Sequence, residues 1–164
     1  MMKVAIIGAG IIGTTTALRI CEAFGDFVSV TIFSEEISPY TTGDISAGLW
    51  GPYLLLDTPQ HKIIKWAKDT YDFFHRLWIT GEASRAGICL QPVFRVTKEA
   101  TDNNVFWKDI VFGITNLSQK QLTRLSEEHN ANYLSGISFI SFTCETKLLL
   151  PYLYEKLVKN GVRF

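Results

Sequence analysis

The sequence predicts an α/β fold that opens with a parallel βαβ unit, and three observations carry that prediction. Val4 to Ile7 is an unbroken apolar run, as a parallel strand buried on both faces needs. Gly8, Gly10 and Gly13 follow, and Thr14 to Phe24 continues as a helix-compatible segment. Gly25 can stop that helix, and Val28 to Phe33 then supplies a second strand with apolar alternation.

The glycines stand in G-x-G-x-x-G spacing, and each has a separate task. The first lets the chain turn sharply, the second lets backbone approach a pyrophosphate, and the third lets helix and strand pack closely. Phosphates would then lie against the unpaired N–H groups and the positive end of the helix. Glu35 arrives about twenty residues after Gly13, where a carboxylate can accept hydrogen bonds from an adenosine ribose. A glycine triplet alone is also compatible with a tight turn that binds nothing. Strand, glycines, helix, strand and acid in this order point instead to a dinucleotide site.

Composition narrows the class further. With 164 residues, 47% of them hydrophobic, the chain can bury a real core. Sixteen basic residues balance sixteen acidic ones, which argues against nucleic acid as a partner, because neutralising phosphates needs a basic surface. Cys21, Cys89 and Cys144 are odd in number and widely spaced, as expected of reduced thiols inside a cell. His61, His75 and His129 show no ligand spacing with them, so no metal site is expected. The apolar start does not read as a signal peptide, because Thr14 to Thr16 interrupt it and no small-residue cleavage site follows. No apolar stretch reaches the ~20 residues that cross a bilayer, so no membrane partner is expected.

Ser34 to Ala47 is polar and rich in turn formers, with Pro39 and Gly43 opposing a regular element. Thr41 and Thr42 offer hydroxyls and N–H groups beside the phosphate loop, although a solvated connector explains them equally well. Gly48 to Tyr53 is an aromatic, glycine-containing turn that suits either a flat ring or plain packing. His61 to Trp78 has helical period, with Ile63, Trp66, Ala67, Thr70, Phe73, Phe74 and Leu77 on one face and a lysine-rich, solvated face opposite. Gly87 to Lys98 reads as strand, and Thr101 to Asn104 as a polar turn. Phe106, Trp107, Val111 and Phe112 read as core anchors. Ser118 to Glu127 reads as a short helix capped by Ser118, Gly136 to Thr143 as a strand and Lys147 to Lys159 as a helix. Val162 to Phe164 reads as the first residues of a further parallel strand, which would make this chain a fragment truncated at its C-terminus.

Four stretches resemble the FAD-dependent D-amino-acid oxidases: Ala5 to Gly13, Ser38 to Tyr53, Phe106 to Gly113 and Lys156 to Phe164. The Thr41-Thr42-x-Asp44 and Ala47-Gly48 block is more specific than the glycine triplet. Asp57 to His61 and Phe142 to Glu145 lean toward D-aspartate oxidase, whereas Leu49-Trp50-x-Pro52-Tyr53 is more similar to the neutral D-amino-acid enzymes. The resemblance implies a Rossmann-like FAD-binding portion made of 1–53 with 145–164, and part of a mixed-sheet substrate or cap region in 54–144. It implies that Gly8, Ala9, Gly10, Ile12 and Gly13 hold the FAD pyrophosphate and that Glu35 holds the ribose. Glu36 stands where the family usually has Lys or Arg. Thr41 and Thr42 would line the phosphates, and Ala47, Gly48 and Leu49 would run along the flavin. Gly51 and Tyr53 would lie toward the substrate.

The implied reaction is oxidative deamination of a D-amino acid by oxygen, giving a 2-oxo acid, ammonia and hydrogen peroxide. The arginine and tyrosine that clamp the substrate carboxylate in the family would lie beyond this chain, so no catalytic residue is expected in it, and it should be inactive alone. The resemblance allows a homodimer and implies a peroxisomal location for a full-length protein. Val162 to Phe164 is no Ser-Lys-Leu signal, which leaves a cytoplasmic location open for this chain. Two other readings fit the residues: a fragment of a nicotinamide-dependent dehydrogenase, since Gly8 to Glu35 suits NAD equally well, and a non-catalytic product that acts by binding.

Overall fold

The computed structural model describes residues 1–53 and 55–164. The chain folds into two compact units, one of 1–48, 80–88 and 144–164, the other of 49–79 and 89–143.

The first unit begins with strand β1 (Met2–Ile7), helix α1 (Ile11–Phe24) and strand β2 (Val28–Phe33). β1 and β2 run parallel, with Val4 opposite Val30 and Ile6 opposite Ile32. The opposite edge of β2 is taken by Arg163: its carbonyl accepts from the Ile32 N–H at 2.8 Å and its own N–H donates to the Val30 carbonyl at 3.2 Å. The tail after the last helix thus pairs as a parallel strand does. Helix α1 packs on β2 and against α5 (Thr146–Lys159). Ala17, Leu18, Val30, Ile32, Leu149, Leu150, Leu153 and Leu157 are buried and form the core.

Burial of β1 departs from expectation. Val4 and Ile6 are half-buried, but Ile7 is 82% exposed and Ala5 is exposed as well. An apolar run equips both faces of a strand for burial. The face shared by Ile6 and Ile32 meets α1; the face of Ala5 and Ile7 is open.

Segment 80–88, assigned with the second portion on sequence, folds with the first unit. The Glu145 N–H donates to the Gly87 carbonyl at 2.8 Å, and Arg85 pairs with Glu155 at 2.8 Å. Gly87 sits at φ +67, and a Cβ there would come within 2.8 Å of the Glu145 oxygen. The short helix α3 (Ala83–Ala86) ends at this glycine; four residues carry too little periodicity to be read from sequence.

The second unit is built on a three-stranded sheet of order β3-β5-β4, from β3 (Ile88–Thr97), β4 (Phe112–Asn116) and the central β5 (Ser135–Cys144), with β4 antiparallel to β5. β4 was not expected as a strand. It is short, and its ladder with β5 is irregular between Phe112 and Thr115, beside Gly113 at φ +59. Of the four expected anchors, Trp107 and Val111 are buried, while Phe106 and Phe112 are exposed. Helix α4 (Gln119–Glu128) starts at Ser118 with a reciprocal capping box to Gln121, as its sequence signals.

Helix α2 (Gln60–Ile79) buries a stripe rotated from the expected one. Ile63, Tyr71, Phe74 and Leu77 point inward, whereas Trp66 is 54% exposed and Thr70 is exposed. The core prefers the Tyr71 ring, which packs 4.9 Å from Phe142 and 5.0 Å from Trp50, and its hydroxyl donates to the Ile140 carbonyl. No helix is long and apolar enough to cross a membrane among the described residues.

Candidate functional site

The glycine loop links β1 to α1 as its spacing demands. Gly8 holds φ +101, a conformation that L side chains avoid, and its N–H donates to the Phe33 carbonyl at 2.7 Å. A Cβ on Gly13 would lie 1.9 Å from the Gly8 carbonyl oxygen and 3.5 Å from Ile6 Cγ2, so only glycine allows this approach of helix to strand. A Cβ on Gly10 would meet nothing within 4 Å. No side chain among the described residues caps the N-terminus of α1. Unsatisfied N–H groups of the first turn and an open approach over Gly10 together make a seat for an anionic group.

Ala9 is part of this loop in a different sense from its neighbours. It is 1% exposed; its N–H donates to Ser34 Oγ at 3.2 Å and its carbonyl accepts from Tyr154 Oη at 2.7 Å. Both backbone groups are therefore used inside the protein, and Ala9 shapes the loop rather than facing a ligand. Ile12 projects from the first turn and is 80% exposed. Glu35 and Glu36 follow β2 in exposed positions, and the Glu36 carbonyl accepts from Ser34 Oγ at 2.6 Å. Ser34 thereby joins the ends of both strands, a role its sequence position did not reveal.

The stretch after β2 is more ordered than its turn-rich composition suggests. Residues Thr42–Ile45 form a single 3₁₀ turn capped by Thr41. Its organising group is Asp44, only 3% exposed. The Asp44 carboxylate accepts from the Thr41 N–H at 2.9 Å, from Thr41 Oγ1 at 2.6 Å and from the Ser38 hydroxyl. Burial opposes its charge, but these hydrogen bonds, with Lys147 nearby, outweigh burial and hold its carboxyl below the ordinary aspartate value. Thr41 spends its hydroxyl on Asp44, and Thr42 is exposed beside it. Tyr154 meets the same segment, accepting from the Ser38 N–H at 3.0 Å. Burial pushes the Tyr154 phenol upward, so it remains a neutral donor at neutral pH. Neither Asp44 nor Tyr154 was a sequence-predicted site residue. Asp44 could have been found from the Thr-x-x-Asp capping pattern; nothing in the sequence marks Tyr154.

Ala47 and Gly48 close the first unit. Gly48 lies at φ +71, and a Cβ would fall 1.9 Å from the Cys144 oxygen, while the Cys144 N–H donates to the Gly48 carbonyl at 2.8 Å. In the second unit Leu49 bridges to Thr143, and Leu49, Gly51 and Tyr53 are exposed. Trp50 between them is packing: its indole donates to the Ala67 carbonyl at 3.1 Å and its ring meets Tyr71 and Trp107 edge-on. The first unit thus gathers Gly8 to Gly13, Glu35, Glu36, Thr41, Thr42, Ala47 and Gly48, while Leu49, Gly51 and Tyr53 belong to the second. No cluster of His, Cys, Asp or Glu able to hold a metal occurs among the described residues.

The family model described as FAD dependent oxidoreductase matches residues 3–164. A D-amino acid oxidase of Dugesia ryukyuensis is 36% identical over 161 residues, covering 98% of this chain and 46% of that protein. Human D-aspartate oxidase is 29% identical over 160 residues, covering 97% of this chain and 45% of that protein. The chain thus spans about half the length of these relatives. Among solved structures, L-α-glycerophosphate oxidase from Mycoplasma pneumoniae with FAD bound shares the fold at a TM-score of 0.64 and 19% identity, over 99% of this chain and 44% of that one.

Proposed function

Because the chain belongs to the FAD-dependent oxidoreductase family, we propose that it supplies the cofactor seat of an oxidase acting on D-amino acids. The pyrophosphate of FAD would lie over Gly10 against the open N-terminus of α1. Glu35, exposed at the end of β2, would accept hydrogen bonds from the ribose hydroxyls, with Glu36 beside it. Thr41 and Thr42 would line the phosphates. Ala47, Gly48 and Leu49 would follow the flavin. Gly51 and Tyr53 would face the substrate side.

When bound, the flavin supplies an acceptor for the hydride of the substrate α-carbon and returns the electrons to oxygen. The protein's own share is to hold and orient. The overall change is D-amino acid, oxygen and water to 2-oxo acid, ammonia and hydrogen peroxide. The observation that best supports this reading is the 36% identity to a D-amino acid oxidase across 98% of the chain, joined to a glycine loop that only glycine can form.

Titration of the purified protein with FAD, followed by flavin fluorescence, tests the cofactor half. Saturable binding is expected; its absence overturns the reading. Peroxide release from D-alanine and D-aspartate, but not from the L-enantiomers, tests the reaction half in a chain of the relatives' full length, whereas residues 1–164 alone are expected to release none. Release from the L-enantiomers alone would replace it.

A further inference from the structure

Two loops of the candidate seat are tied together by hydrogen bonds that no ligand takes part in. Tyr154 stands on α5, far along the chain from both. Its hydroxyl donates to the Ala9 carbonyl of the glycine loop and accepts from the Ser38 N–H at the start of the threonine turn. The Ser38 hydroxyl passes the connection to Asp44, which holds Thr41 by both its N–H and its hydroxyl. Ala9, Tyr154, Ser38, Asp44 and Thr41 therefore form one continuous relay. Removing the Tyr154 hydroxyl takes this partner from the Ala9 carbonyl, in a residue 1% exposed.

We propose that Tyr154 and Asp44 are positioning residues that lock the glycine loop and the Thr41–Thr42 turn into a single preorganised pyrophosphate seat. This rests on the reading that FAD occupies that seat. A seat fixed before binding saves the cost of ordering two loops when the dinucleotide arrives. The hydrogen bonds of both residues go to the protein itself. Their effect should reach only ligands that carry the pyrophosphate.

The test compares binding of FAD and ADP to the protein and to Tyr154→Phe, Asp44→Asn and Ser38→Ala, with thermal midpoints measured alongside. Tyr154→Phe and Ser38→Ala are each expected to weaken FAD and ADP by about tenfold. The double variant of the two should be no weaker than about the worse single one, because both cut the same relay. Tyr152→Phe is the control from the same turn of α5: Tyr152 is buried and takes no part in the relay, and removal of its hydroxyl should leave both affinities unchanged.

Wild-type affinity in Tyr154→Phe or Ser38→Ala overturns the proposal. So does an equal loss in Tyr152→Phe, which would mark a general effect of α5 packing. If the unmodified protein binds neither FAD nor ADP, the cofactor reading fails first and this inference falls with it. If Tyr154→Phe does not fold, Ser38→Ala decides the matter.

Discussion

Replacing Gly13 by alanine separates the architecture of the glycine loop from its ligand. The added Cβ would sit 1.9 Å from the Gly8 carbonyl oxygen. Carbon–oxygen contacts close up only to about 3.3 Å, so Gly8 and Gly13 must part by roughly 1.4 Å. The obstacle is backbone, not a side chain that can swing aside. Overpacking of this kind costs about 1–3 kcal/mol of stability. The same movement displaces the first turn of α1, whose N–H groups would each contribute about 1.5–3 kcal/mol to a phosphate. Losing one such contact weakens FAD by roughly ten- to a hundredfold.

Gly10→Ala is the matched contrast. Its Cβ meets nothing within 4 Å, and its φ of −73° suits alanine, so the free protein should lose less than about 1 kcal/mol. The methyl nevertheless projects into the proposed path of the pyrophosphate and should weaken FAD as much as Gly13→Ala does. Thermal melting of the free protein and fluorescence titration with FAD report the two quantities separately. If Gly13→Ala melts and binds like wild type, the close approach of Gly8 to Gly13 is wrong. If Gly10→Ala keeps full affinity, the open face of the loop is not where the cofactor lies.

The Asp44 carboxyl is depressed below its ordinary value of 3.8, so its contribution to stability is complete above that value and is lost as pH falls through the lower, folded one. The difference in melting temperature between wild type and Asp44→Asn should accordingly be steady from neutral pH to about 5 and shrink below about 4; a difference that grows on acidification would reverse the assignment. Phe142 is fully buried among Tyr71, Phe74 and His75, and Phe142→Ala should cost about 3–5 kcal/mol in denaturant unfolding, whereas exposed Phe94→Ala should cost under about 1. Burial, reinforced by Glu145, pushes the Cys144 thiol up to about 11, while Cys89 is exposed. At pH 8 a thiol reagent should label Cys89 in the native protein and reach Cys144 only on unfolding; rapid native labelling of Cys144 would show that β5 ends differently.

What could be read in advance was local. The order of β1, the glycines, α1, β2 and Glu35 follows from spacing within one short segment, as does the Ser118–Gln121 capping box. Periodicity, by contrast, states which residues could be buried without deciding which are. On α2 both Trp66 and Tyr71 qualify as large amphipathic side chains. The choice fell to Tyr71 because its hydroxyl finds the Ile140 carbonyl and its ring fits between Trp50 and Phe142, partners set by a strand far along the chain. β4 was missed for a similar reason: a five-residue segment with an inner glycine becomes a strand through its pairing with β5.

The threonine turn shows how the same limit touches function. Composition leaves Ser34 to Ala47 open between a solvated connector and a lining for phosphates, since most residue types in it favour water or turns. A carboxylate in such a stretch is expected outside. Asp44 is inside because three donors reach it at once, two from Thr41 and one from Ser38, and those donors offset the loss of water that would otherwise exclude a charge. Two of the three lie within the cap pattern and are legible. The third connects through Ser38 to Tyr154, and through it to Ala9, across a separation of 145 residues. A ligand seat assembled this way has its contact residues in the motif and its rigidity elsewhere, so a motif search recovers the first and is blind to the second.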